Sequence, residues 1–250
     1  MLYKYKFLKV QEIWFDENEK IKKVDKVIYN QIPKKINKHA EIFYTLTISL
    51  KQDEDNIFSK FRKNNRYEIK RAINKDKLIC NIYDKNIEDK ILNDFVSAYN
   101  EFGKERGLGQ IVHTIYKSYA NNYNLLIANI TNKEGDILVW NSYILYNKRA
   151  RLKTSNSFLN TQDKDIKNLI GRANRMLHWK VMLYLKHSGY ELYDFGGWYQ
   201  GNKDIKKLGI NNFKESFGGE KEISFNYTKC LSIKCHIHYL LFKIKKIIKG

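Results

Sequence analysis

Two apolar spacings share this chain. Over residues 3–15 and 41–50, aromatic and β-branched residues crowd together, with partial alternation in Phe43-Tyr44-Thr45-Leu46-Thr47-Ile48, which predicts extended structure. The Lys- and Asn-rich stretch between them, containing Pro33, reads as a loop or an irregular connection. Residues 54–75 read as a basic helix, with Ile57, Phe58, Phe61, Ile69, Ala72 and Ile73 in a broken helical spacing. From residue 78 the pattern is regular. A strand over 78–83 is followed by a helix over 88–105, closed by Gly103 and Gly107, and by a shorter helix over 113–121. Strands over 124–131 and 136–146 flank the hairpin signal Asn132-Lys133-Glu134-Gly135, and a third strand spans 150–155. A loop to Asp165 leads into a helix in which Ile170, Ala173, Leu177, Val181 and Tyr184 recur at three- and four-residue steps, stopped by Gly189. A strand over 191–195, a short helix over 204–217 and a last strand over 223–228 complete the order. That order predicts an α/β (α+β) fold with a mixed sheet.

Composition changes this picture in three ways. The 250 residues are 43% hydrophobic, enough for a sizeable core, yet no run of 18 apolar residues offers a membrane-spanning helix. The first residues, Met1-Leu2-Tyr3-Lys4-Tyr5-Lys6, carry no signal-peptide apolar region, and Cys80, Cys230 and Cys235 make no even framework, so a reduced, cytoplasmic protein is expected. The net charge of +19 favours polyanions such as nucleic acid, anionic lipid or phosphorylated substrates, although a chain so rich in Lys, Asn and Ile also reflects skewed composition. There is no Gly-x-Ser-x-Gly elbow, no phosphate loop ending in Gly-Lys-Ser/Thr and no CxxC pair. Cys235 and His236, being adjacent, suit a single metal poorly, so no metal site is expected.

Three motifs in order resemble one family. Arg66-Tyr67-Glu68-Ile69-Lys70-Arg71-Ala72 is followed by Ala173-Asn174-Arg175-Met176-Leu177-His178-Trp179 with Tyr193-Asp194-Phe195-Gly196-Gly197, and then by residues 209–217 with Phe213-Lys214 and Phe217-Gly218. This set resembles the FemA/FemB-like transferases of the GCN5-related N-acetyltransferase (GNAT) superfamily, over roughly residues 45–228. The resemblance implies a GNAT-like mixed, mainly antiparallel sheet flanked by helices, with residues 1–77 as a truncated first repeat and residues 78–228 as the catalytic domain. It implies acyl or aminoacyl transfer to an amine, with acyl-CoA or aminoacyl-tRNA as co-substrate and no tightly bound cofactor. It also implies a donor side at Asn168, Gly171, Arg172, Ala173 and Asn174. There Asn168-Leu169-Ile170-Gly171-Arg172-Ala173 is similar to the family's pyrophosphate pattern Gln/Arg-x-x-Gly-x-Gly/Ala except at its first position, and an ordinary glycine near a helix start fits equally.

Acyl transfer needs a deprotonated amine, a stabilised oxyanion and held reactants. Asp194, in an otherwise apolar strand, suits a base or an ammonium-positioning role, and equally a cap on the backbone before Gly-Gly. Lys214, between Phe213 and Phe217, is poorly solvated and suits oxyanion or phosphate stabilisation. His178, one turn after Asn174, is a candidate base or a core histidine. Trp179 lies beside them as a wall of the cleft. Trp198 and Tyr199 are placed to close the acceptor site or to pack in the core, and Tyr199 to protonate a thiolate leaving group. Arg66, Lys70 and Arg71 suit an acceptor diphosphate or a tRNA backbone.

Residues 229–250 read as a basic amphipathic helix with Ile237, Leu240, Leu241, Ile244 and Ile248 on one face, which suits an anionic membrane surface or docking on protein. The expected partners are a nucleotide- or lipid-linked amino sugar or peptidoglycan precursor, tRNA, and the inner membrane face. The competing reading is a non-enzymatic, basic RNA-binding protein on a degenerate GNAT fold.

Overall fold

The computed structural model describes residues 1–122, 124–157 and 163–249, with side chains described as far as residue 241. The strands and helices run β1 (Leu2–Tyr5), β2 (Leu8–Trp14), β3 (Lys26–Ile32), β4 (Glu41–Ser49), α1 (Glu54–Ser59), α2 (Lys63–Asn74), β5 (Ile79–Tyr83), α3 (Asp89–Glu105), α4 (His113–Asn121), β6 (Leu125–Thr131), β7 (Ile137–Tyr146), β8 (Arg149–Ser157), α5 (Lys164–His187), β9 (Leu192–Gly197), α6 (Ile205–Glu215), β10 (Glu220–Cys230) and α7 (Ile233–Lys249). The fold class is the mixed, mainly antiparallel sheet with flanking helices that the resemblance implied. The expected loop up to Asp165 falls mostly outside the described residues.

The chain forms two compact units, residues 44–222 and residues 1–43 with 223–250, which divide it at other places than the expected 77/78 and 228/229. In the larger unit the strand order is β4-β9-β8-β7-β6-β5. All neighbours there are antiparallel except β8 and β9, which run parallel and pair over three positions, Arg149–Arg151 against Leu192–Asp194. Parallel neighbours need a crossover, and α5 supplies it. Asp163 caps α5 by accepting from the Asp165 and Ile166 amides, and Gly189, at φ +83, ends it. Its buried face, with Ala173, Leu177 and Val181 0% exposed, packs against β5 to β8, while α3 and α4 contact β8 and β6.

The smaller unit orders its strands β1-β2-β3-β10, with β2 and β3 parallel and the other pairs antiparallel. Here two expectations are corrected. The Lys- and Asn-rich stretch expected as a loop contains β3, in which Val27 and Ile32 are 0% exposed. Its polar flanks hid a seven-residue strand that tertiary pairing defines. Of the three thiols expected to be unpaired, Cys80 is free, but Cys230 and Cys235 form a disulfide with Cα atoms 5.5 Å apart, because the turn from β10 into α7 brings residues five apart face to face. The cysteine count therefore no longer argues for a reducing compartment. Among the described residues, no helix is long and apolar enough to cross a membrane.

The single helix expected over 54–75 is two. Its broken apolar spacing does not locate the break, which tertiary hydrogen bonds impose. Arg62 turns extended, its amide donates to the Ser216 carbonyl at 2.8 Å, and Asn65 Nδ2 donates to the same carbonyl at 3.1 Å. Arg66 then donates from Nη1 to the carbonyls of Ser59, at 2.7 Å, and Phe61, taking up acceptors that α1 leaves open.

One glycine is required sterically. Gly219 adopts φ +97, and a Cβ there would sit 2.5 Å from the Thr47 carbonyl oxygen. Gly219→Ala is expected to cost about 1–3 kcal/mol through the forced backbone shift. A urea titration checks this, and a loss below about 0.5 kcal/mol, the range of an ordinary surface change, contradicts it.

Candidate active site

β9 reads Leu-Tyr-Asp-Phe-Gly-Gly, and its alternation sorts the side chains by face. Tyr193 and Phe195 enter an aromatic cluster with His178, Phe213 and Phe217, with ring centroids 4.9–5.4 Å apart across Tyr193–Phe195, Phe195–Phe217 and His178–Phe217. Asp194 points the other way and is 0% exposed. Its Oδ1 accepts from Thr45 Oγ1 and from the Gly196 amide at 2.7 Å, and its Oδ2 accepts from Arg149 Nε at 3.1 Å and Nη2 at 2.6 Å. Arg149 also donates to Glu222 at 2.8 Å. Burial works against the Arg149 charge, but Asp194 and Glu222 outweigh it and raise its pKa. The catalytic role expected of Asp194 is corrected: a carboxylate with both oxygens engaged and none exposed is a positioning group, the backbone-capping alternative for Asp before Gly-Gly.

The turn held by Asp194 sets the next residues. Gly196 takes φ +68, with the Leu152 carbonyl 3.0 Å and Arg151 Nη2 3.3 Å from where a Cβ would be. Its carbonyl lies 2.8 Å from Thr45 Oγ1, whose one proton is shared between that oxygen and Asp194. Above it lies Lys214, carried by α6. Asp204 caps that helix by accepting from the Lys207 amide, and Phe213 and Phe217 press the helix end into the aromatic cluster. Lys214 is 7% exposed and donates from Nζ to the carbonyls of Gly197 at 2.5 Å and Gly196 at 3.4 Å. Burial, reinforced by the Arg151 cation and opposed by Asp194, lowers its pKa to about 8. The result is a poorly solvated ammonium beside a second cation, where backbone pairing between β8 and β9 ends. Such a centre favours an oxyanion or a phosphate.

The other expected site residues are distributed more widely. His178 is 1% exposed, and burial, with Lys214 and Arg175 nearby, pushes its pKa down to about 3. With the Tyr193 hydroxyl donating to Tyr143, His178 Nδ1 donates to Tyr193 at 2.5 Å. It is a neutral core histidine, and its role as a base is corrected. Trp179 is also core, 4.9 Å from Phe58 and 5.4 Å from Phe61 between ring centroids, and so is no wall of a cleft. Trp198 and Tyr199 are half-buried: Lys221 Nζ lies 4.4 Å from the Trp198 ring, and the Tyr199 backbone exchanges two hydrogen bonds with Asn211.

The donor side expected at Asn168 to Asn174 is corrected by the position of the helix start. α5 begins at Lys164, so Gly171 lies about two turns inside it, where amides are spent on intrahelical bonds. Arg172 is ion-paired to Asp76, Ala173 is fully buried, Asn168 is exposed and Asn174 is half-buried. The basic trio does not converge either. Arg66 is bound to carbonyls, Arg71 faces Asp76 at 4.0 Å, and exposed Lys70 lies over the Phe58 ring at 5.8 Å.

The sequence reading missed Arg149, Arg151 and Thr45. The Arg-Ala-Arg alternation at the start of β8 was the available signal, since it sets both guanidiniums on one strand face. It also missed Arg175, which lines a cavity of about 300 Å³ with Arg62, Asn65, Asn212 and Phe213. Arg175 Nε and Asn65 Oδ1 are buried there without hydrogen-bond partners. Among the described residues, no three His, Cys, Asp or Glu side chains are grouped to hold a metal.

No protein-family model matches the chain, and no curated protein matches it in sequence. Solved structures do match in fold. FemX superposes with a TM-score of 0.56 at 14% identity, over 75% of this chain and 61% of that one. The C-terminal domain of a putative lysylphosphatidylglycerol synthetase from Agrobacterium fabrum gives 0.53 at 12% identity, over 80% and 67%. L-PGS from Bacillus licheniformis gives 0.52 at 15% identity, over 86% and 71%. The chain thus spans less than two thirds of FemX, and it carries a FemX-like fold.

The buried lysine has a thermodynamic signature. In the unfolded chain Lys214 holds its proton to the usual 10.5, and in the folded one it releases it above about 8. The unfolded state binds more protons between those values, so this residue makes stability rise with pH across that window, while its burial cost is present in full below it. Lys214→Met is expected to remove the rise. Paired urea titrations from pH 7 to 10.5 measure it, and parallel curves for the two proteins would contradict the burial of the ammonium.

Proposed function

We propose that this chain is an N-acyltransferase that moves an aminoacyl group from aminoacyl-tRNA to an amine on a cell-envelope precursor. The acceptor class is a nucleotide- or lipid-linked amino sugar or a peptidoglycan stem peptide, met at the cytoplasmic face of the membrane. The observation that carries the reading is Lys214. Its desolvated ammonium lies over the Gly196 and Gly197 carbonyls, next to Arg151, on a fold like that of FemX and L-PGS. Reactive residues are assigned within residues 78–228.

The steps balance with few groups. The acceptor nitrogen bonds to the ester carbonyl carbon, and the carbonyl electron pair moves to oxygen. Lys214 stabilises that oxyanion, which is worth about 3–4 kcal/mol for one well-placed donor. Collapse of the intermediate expels the ester oxygen, which leaves with the proton shed by the attacking nitrogen. Asp194 and Arg149 take no proton; they fix the turn beneath Lys214.

The start of α5 favours tRNA over acyl-CoA as the donor. Its first amides are taken by the Asp163 carboxylate, which places negative charge where a pyrophosphate would bind. The net charge of +19 suits a polyanionic donor.

The pH profile tests the role of Lys214. An oxyanion stabiliser must be protonated, so turnover is expected to fall as pH rises through about 8, and Lys214→Arg is expected to extend the plateau to higher pH. Lys214→Met is expected to lower kcat by about 100- to 1,000-fold. Normal turnover by the Met variant, or a rate that climbs through that pH, would overturn the assignment. Thermal shifts with aminoacyl-tRNA and acyl-CoA separate the donors, and stabilisation by acyl-CoA alone would reverse the donor choice.

A further inference from the structure

In the smaller unit, α7 faces the wrong way for an ordinary amphipathic helix. Its start is pinned by three contacts. Cys235 is 2% exposed against Leu8 and Val10, the Leu231 amide donates to the Asp25 carbonyl at 2.8 Å, and Lys234 pairs with the Asp25 carboxylate at 3.0 Å. These contacts fix the rotation of the helix about its axis. At 3.6 residues per turn, Ile233, Ile237, Leu240 and Leu241 lie roughly 140–240° round from Cys235. They therefore face away from the strands, and they are 80%, 51%, 59% and 53% exposed.

The β1–β2 turn extends the same apolar edge. Phe7 is 55% exposed, and its ring lies 5.5 Å from that of His238, which also meets Tyr5 edge-on at 6.3 Å. Leu231 adds a further side chain at 40% exposure. A contiguous exposed apolar surface of this kind marks an interaction site.

The charge around it selects the partner. No acidic residue follows Glu222, while six lysines do, Lys4 lies on β1, and Lys6 stands on the adjoining turn. The sequence also continues the apolar spacing with Ile244 and Ile248. A second copy of this chain would bring one basic rim against another. A bilayer carrying anionic headgroups accepts both the apolar stripe and the lysines.

We infer that α7 and the β1–β2 turn form a surface that lies in the plane of an anionic lipid bilayer. The stripe enters the headgroup–acyl boundary, Phe7 and Tyr5 anchor its edge, and the flanking lysines meet lipid phosphates. The inference stands apart from the transfer reaction, because binding is read without turnover.

The test uses the full chain and sedimentation with two kinds of vesicle, one containing phosphatidylglycerol in phosphatidylcholine and the other phosphatidylcholine alone. Binding is expected to the first, to weaken as salt rises, and to fall by about tenfold or more in Ile237→Asp/Leu241→Asp, as loss of two buried apolar side chains implies. Both residues are more than half exposed, so the variant is expected to keep its circular dichroism and melting temperature. Binding to both vesicles alike, or to neither, would overturn the inference. So would a concentration-dependent dimer in light scattering that the double substitution abolishes, since the stripe would then be a contact between copies.

Discussion

The buried carboxylate of Asp194 accepts from Thr45, from the Gly196 amide and from the fork of Arg149, and those bonds fix the direction in which β9 ends. A charge taken this far from water is tolerated only when it is paired and hydrogen-bonded, and removing one partner of such a pair typically costs about 3–5 kcal/mol. The network is therefore a constraint as much as a source of stability. It demands glycine at 196, where the backbone is left-handed and the Leu152 carbonyl is close, and it aims the carbonyls of residues 196 and 197 toward α6.

Lys214 depends on that aim. An ammonium between aromatic side chains loses most of its hydration, and two carbonyl dipoles replace part of it. The replacement is incomplete, because Arg151 adds a like charge that Asp194 offsets only in part, and so the pKa falls to about 8. His178, in the same cluster, responds to burial in the same direction and stays neutral. One environment thus leaves a cation at Lys214 and an uncharged imidazole behind it.

The smaller unit follows a different logic. Its helix is oriented by a buried cysteine and an ion pair to Asp25, and its apolar stripe is left outside. A stripe that packed inward would have been ordinary core. Turned outward, it is left exposed in an orientation that no local propensity specifies.

The strand–helix order from residue 78 onward, the hairpin at 132–135, and the ends of α4 and α5 were determined by the sequence itself. Each is carried by short-range physics: apolar period, a cap, or a residue that stops a helix. The tertiary structure decided the rest. β3 became a strand because neighbouring strands pair with it across polar flanks. The helix over 54–75 broke because Ser216 and Arg66 bind its backbone. The failure of Gly171 as a phosphate site is by contrast local, since a helix start near Asp165 already leaves it inside α5, which begins at Lys164. Asp194 and His178 looked catalytic by residue type alone, and Arg149 and Arg151 did not. What separates them is which donors surround each group and how much water remains. Those are properties of side chains up to 149 residues apart in the chain, and only folding brings them together.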